Sequence, residues 1–193
     1  MKKFAIIGAN STGKSTASHY ITAKLRAEGI LCERTTESAR VLSFNRALLD
    51  TEIASQYWVF GKGMMEESLA KCRGDVDVLI CDHTPYDYFI FARTEFPKLH
   101  ETPVFDAVKE LSKKWLGTYK GVFVFSTIGT KYHTDSVRKE KKEGMKLRNR
   151  VNNLLAEDIS NGVIPNCNVV TVPVEERGEF VLQEIKNILR NPI

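Results

Sequence analysis

Gly8-Ala9-Asn10-Ser11-Thr12-Gly13-Lys14-Ser15 sets a glycine four free positions before Gly-Lys-Ser, a pattern whose chemistry is the holding of phosphate. Glycines at 8 and 13 permit close backbone approach, so successive N–H groups can surround a phosphate at the positive end of a helix. Gly8, Asn10, Ser11, Thr12, Gly13, Lys14, Ser15 and Thr16 are read as the ATP-binding residues. Lys14 reaches the β- and γ-phosphates, and the Ser15 hydroxyl ligates Mg²⁺. A second signal is Asp82, which ends the apolar run Val76 to Cys81. A carboxylate there holds Mg²⁺ through water or takes the proton of an acceptor hydroxyl. Glu37 and Arg40 follow another strand-like run, Ile30 to Thr36, and are candidates for the acceptor pocket because ligands of open α/β sheets bind at the carboxyl ends of strands. Position alone fits Glu37 equally well to the first turn of a helix, where it complements the dipole.

Elements in a particular order must position these groups. Lys3 to Ile7 suits a buried parallel strand, and Thr16 to Glu28 has helical spacing at Ala17, Tyr20, Ile21 and Leu25. A long helix is expected from an Asp50 cap to about Cys72, with Ile53, Tyr57, Phe60 and Met64 on one stripe. Gln56 on that helix faces either substrate or core. Thr84 caps a helix that begins at Pro85, with Asp87 in its first turn. Its aromatics divide between the core and a stacking wall for a flat acceptor, and Tyr86 is the candidate for the wall. His83 is read as a loop histidine. Thr102-Pro103 opens a helix burying Phe105, Val108, Leu111 and Trp115. A fourth strand, Gly121 to Ser126, leads into a segment rich in Lys and Arg up to Arg150.

That basic segment, about 129–150, is expected to be a lid whose Arg138 and Arg148 offset charge on the transferring γ-phosphoryl. A solvated helix face and a nucleic-acid contact are the competing readings. Val151 to Ile159 completes a helix, Asn168 to Val174 is a fifth strand, and the loop from Pro173 to Arg177 borders the adenine. A helix from Phe180 to Leu189 closes the domain. The fold class expected is α/β: a three-layer α/β/α phosphate-loop NTPase with a five-stranded parallel sheet.

With 193 residues, the chain fits a single domain, 1–193, covered on both faces of its sheet. No apolar run approaches the ~20 residues of a membrane span, and the first strand begins at the N-terminus, so a cytoplasmic protein is expected. Cys32, Cys72, Cys81 and Cys167 lack Cys-x-x-Cys spacing and imply neither a metal centre nor a disulfide framework. A net charge of +4 favours anionic ligands but is too small to imply nucleic acid.

Taken with their order, these motifs resemble a group of P-loop kinases. The group includes the ribosylnicotinamide kinase domain of the bifunctional NAD-biosynthesis regulator and related AAA-type ATPase-like proteins. The likeness rests on residues 8–15, Glu37-Ser38-Ala39-Arg40, Gln56, Leu79-Ile80-Cys81-Asp82 with Thr84, and Thr134-Asp135-Ser136-Val137-Arg138 followed by Arg148. It implies an ATP- and Mg²⁺-dependent kinase for a small nucleoside- or nucleotide-like acceptor, with Glu37 or Asp82 activating the hydroxyl. Deoxynucleoside kinases are similar too, but carry Asp-Arg where this chain has Asp82-His83. At this length, no separate adenylyltransferase domain is expected. Two further readings are a kinase acting on a modified base in DNA and an acceptor-independent ATPase or nucleotide switch.

Overall fold

In the computed structural model, the described residues are 1–35, 52–96, 102, 104–134 and 140–191. The strands are β1 (Lys2–Gly8), β2 (Cys32–Arg34), β3 (Val78–Asp82), β4 (Gly121–Phe125) and β5 (Cys167–Val170). They form one sheet in the order β2-β3-β1-β4-β5, and every pair is parallel. Parallel neighbours require crossovers, and the helices supply them. These are α1 (Lys14–Ala27), α2 (Glu52–Arg73), α3 (Pro85–Glu95), α4 (Phe105–Leu116), α5 (Lys141–Ser160) and α6 (Arg177–Arg190).

Alternation along β1 divides the core into two layers. Phe4 and Ile6 face α1 and α6, meeting Ala17, Ile21, Leu25, Val181, Leu182 and Ile185. Ala5 and Ile7 face the other way, toward Phe89 and Ile90 of α3, Leu116 of α4 and Leu147, Val151 and Leu155 of α5. The strands are apolar throughout because both faces are covered.

Two details depart from the sequence reading. Leu111 of α4 is 42 % exposed, and Ser112 and Leu116 are the buried residues of that helix. The segment read as a lid is divided: residues 141–150 are the first half of α5. Gly144, Leu147, Arg148, Val151 and Leu155 form its buried face, the i, i+3, i+4 stripe that docks a helix, while Lys141, Lys142, Lys146 and Arg150 are exposed.

Position relative to the sheet edge follows from register. Ile6 pairs with Asp82 and Gly8 with Phe125, so β1, β3 and β4 end together. Gly8 turns there at φ 144°, and an added Cβ would sit 2.8 Å from the Phe125 carbonyl oxygen. Only glycine lets the chain leave β1 this close to β4.

Candidate active site

An open cleft of about 790 Å³ lies beyond this edge, lined by Asn10 to Thr16, His19, Arg34, Asp82, His83, Gly129, Thr130, Lys131, His133 and Val174. Its floor is the loop between β1 and α1. Gly13 caps α1 at φ 87° without any side-chain hydrogen bond, leaving the first helical N–H groups to an anion. Ser11 also adopts a left-handed conformation, φ 59°. Lys14 is 5 % exposed, and its Nζ donates to the carbonyls of Gly8 at 2.8 Å and Ala9 at 3.0 Å.

Asp82, at the end of β3, is 1 % exposed. Its Oδ2 accepts from Ser18 Oγ at 3.3 Å, and its backbone N–H donates to Thr35 Oγ1 at 3.1 Å, just past β2. Oδ1 is buried without a hydrogen-bond partner, as is Nδ1 of His83. These two atoms lie 3.3 Å apart without an aligned hydrogen bond. Burial pushes the Asp82 carboxyl up, but His83, Lys14 and the Ser15 hydroxyl outweigh it and bring the pKa down to about 2. The group is therefore an anion at any ordinary pH. A hard cation fits here: one orphaned carboxylate oxygen, a serine hydroxyl, and a loop built for phosphate, which supplies the remaining oxygens. Among the described residues no cluster of three His, Cys, Asp or Glu could cage a metal by itself.

His83 lies in the short loop between β3 and α3, as read, but it is not a surface residue. It is 8 % exposed, sits at φ 69°, and stacks on Tyr88 with ring centroids 5.9 Å apart and planes 10° apart. Such a backbone conformation in a non-glycine residue costs about 1–3 kcal/mol and persists where surroundings enforce it. Beyond it, Thr84 and Asp87 form a reciprocal capping box at the start of α3. Asp87 does more than complement a dipole: its Oδ1 accepts the Gly8 N–H at 3.3 Å, fastening α3 to the first residue of the phosphate loop. Burial raises its carboxyl above the usual range, against the pull of His83, Lys14 and the Gly8 and Thr84 N–H groups.

The far wall is a strap, residues 126–134, running from β4 toward α5. The His133 N–H donates to Ser11 Oγ at 3.1 Å. Tyr132 packs where an added Cβ on Gly144 of α5 would collide with its ring. Arg148 is 5 % exposed. Its Nη2 donates to the carbonyls of Thr127 at 3.3 Å and Thr130 at 3.2 Å, and to Thr130 Oγ1. It does not line the cleft; it holds the strap that does. Arg177, read as part of a loop near adenine, is instead the first residue of α6 and wholly buried.

The other acceptor candidates divide. Tyr86 is 1 % exposed in the core. Its hydroxyl donates to Asp158 of α5, which with burial raises its pKa. The ring serves packing between α3 and α5 and is no part of the cleft wall. Gln56 is half-buried on α2 and is not among the cleft residues. Glu37, Arg40, Arg138 and the Asp50 cap lie outside the described residues. His83, Asp87 and Arg177 were missed as site residues because each acts through tertiary contacts; only the Thr84-x-x-Asp87 spacing carried a local signal.

The family model for the AAA domain matches residues 3–177. The chain belongs to the AAA domain family. No curated protein matches it, but solved structures share the fold of this AAA domain. Deoxyadenosine kinase from M. mycoides with products dCMP and a flexible dCDP bound superposes with a TM-score of 0.62 at 19 % identity, covering 96 % of this chain and 100 % of that one. The same enzyme with bound dATP gives 0.61 at 16 % identity, covering 95 % and 99 %. NadR protein in complex with NR gives 0.67 at 15 % identity, and there the AAA domain, 96 % covered, spans 49 % of the NadR chain. The fold is thus the α/β fold of P-loop kinases, as the motifs implied. Among the described residues no helix is long and apolar enough to cross a membrane.

Proposed function

We propose that this AAA domain is a kinase that transfers the γ-phosphoryl of ATP, with Mg²⁺, to a small nucleoside- or nucleotide-like acceptor. The observation that carries the reading is the buried, ionised Asp82 beside Ser15 and Lys14, with one carboxylate oxygen unpartnered at the mouth of the phosphate loop. The shared fold with two nucleoside-binding proteins supports it.

The residues take separable roles. The N–H groups of residues 8–15 and the open start of α1 bind the donor phosphates. Lys14 exchanges its two carbonyl partners for phosphate oxygens, with which its bonds are stronger because both sides are charged. Ser15 and Asp82 would hold Mg²⁺, which when bound offsets charge on the phosphates during transfer. Either Asp82 or Glu37 orients the acceptor hydroxyl and takes its proton; where Asp82 serves only the metal, Glu37 is the base. Arg40 completes the acceptor side and Arg138 the closing lid. Most of this chemistry is positioning and charge stabilisation, so rigidity of the loop matters as much as its residue types.

The test is a thermal-shift and ADP-release screen with ATP and Mg²⁺ over nucleosides, nucleoside monophosphates and nicotinamide riboside, because a ligand that binds the folded state stabilises it by mass action. At least one acceptor is expected to raise ADP release, and Lys14→Ala to reduce that release by ~10² or more. ATP hydrolysis indifferent to every acceptor would contradict the reading.

A further inference from the structure

Three backbone segments converge behind the phosphate loop on one side chain. Arg177 Nη1 donates to the Thr12 carbonyl at 2.7 Å and to the Ser126 carbonyl at 2.9 Å. Nη2 donates to the Ile128 carbonyl at 3.2 Å and Nε to the Val172 carbonyl at 3.1 Å. The segments are the phosphate loop, the strap after β4 and the loop after β5. The guanidinium also lies over the Phe125 ring, 5.4 Å from its centroid. Gly178 makes the placement possible, since a Cβ there would lie 2.9 Å from the Tyr20 ring; the start of α6 can therefore press against α1.

The composition of this site is unusual for a buried charge. Arg177 is 0 % exposed, and among the described residues no carboxylate forms an ion pair with it. Burial, and then the like charge of Arg148, lower its pKa. Buried ions are normally paired because desolvation is expensive. Here four carbonyl dipoles stand in for the counterion, and all come from segments bordering the phosphate cleft. Arg148 holds the strap from the other side at Thr127 and Thr130, so two guanidinium groups take the carbonyls of residues 126, 127, 128 and 130.

We infer that Arg177 is a positioning residue for nucleotide phosphate. It fixes the Thr12 carbonyl on the side away from the cleft and locks loop and strap in register, so the donor site is formed before ATP arrives. Its positive charge, met by carbonyl dipoles and by no carboxylate among the described residues, also favours phosphate over uncharged ligands. It touches no nucleotide itself, being wholly buried. A planar fork with donors in three directions can bridge three segments, which a lysine cannot do.

The inference rests on the kinase reading only in taking the loop to bind ATP. Its test is ATP affinity by calorimetry for the wild-type chain, Lys14→Ala, Arg177→Lys, Arg177→Met and Tyr20→Phe, with unfolding midpoints measured alongside. Tyr20→Phe removes the 2.6 Å bond from Tyr20 to Glu179 on the exposed side of the same helix pair; it is expected to alter stability alone. Arg177→Lys is expected to weaken ATP binding about tenfold or more, because small misplacements at a reacting site carry effects of that size, and to raise KM for ATP while leaving the acceptor KM unchanged. Arg177→Met is expected to lose more. Should it fail to fold, Arg177→Lys decides. An Arg177→Lys chain that binds ATP as the wild type does, while Lys14→Ala loses binding, overturns the inference and leaves the kinase reading intact. Equal ATP binding by wild type and Lys14→Ala overturns both.

Discussion

Asp82 shows how a single side chain is prepared by its surroundings. Its pKa of about 2 lies below the ordinary 3.8, so near pH 3 the folded chain binds fewer protons at this position than the unfolded one. Stability from Asp82 is therefore complete above pH ~4 and lost as pH falls toward 2. Unfolding by urea across that window is expected to show a steeper acid loss for the wild type than for Asp82→Asn. Gly8 makes a second case. With φ at 144° and the Phe125 carbonyl in the way of any Cβ, Gly8→Ala is expected to cost about 2 kcal/mol or more, measured by denaturant midpoint. An unchanged midpoint would mean that β1 can part from β4 without loss, and the tight exit into the loop would lose its explanation.

At the scale of elements, α2 is tied to the sheet by a buried polar knot far from the cleft. Glu67 is 2 % exposed and accepts from Lys3 Nζ at 2.7 Å, Trp115 Nε1 at 2.8 Å and Tyr119 OH at 2.6 Å. Lys3 also lies over the Trp115 and Tyr119 rings. Removing the carboxylate strands three donors at once, so Glu67→Ala is expected to lose about 3–5 kcal/mol of stability. A calorimetric change under 1 kcal/mol would argue against the knot as an anchor for α2. Nothing local announces it: a Lys and a Glu 64 residues apart, and a Trp and a Tyr 48 and 52 residues beyond that Glu, meet only through the fold. Strand and helix identities were far more legible, because apolar runs and 3.6-residue stripes are local. Helix α5 illustrates the limit. Its first turns are so rich in Lys that charge masks the Leu147, Arg148, Val151 stripe, and the segment reads as lid.

Over the whole molecule, the five parallel strands bring residues distant in sequence to one edge, and this is why the placing of several candidate residues together was legible. A glycine loop after β1 and a carboxylate at the end of β3 share that edge in any sheet of this order, so the meeting of Lys14, Ser15 and Asp82 in one cleft needed no coordinates. Arg177 and Asp87 needed them, since their work is to brace the loop from behind. Tyr86 shows the opposite error, an aromatic in a suggestive place that packing claimed. The same topology makes the central claim a compact one: residues from β1, α1 and β3 act together on one phosphoryl group. Its most direct measurement is transfer of labelled γ-phosphate from ATP to the best acceptor by the wild type and Asp82→Asn at equal folded concentration. Labelled acceptor is expected with the wild type, at a rate ~10²-fold or more above that of Asp82→Asn. Transfer at equal rates by both chains, or none by the wild type with any acceptor, would contradict it.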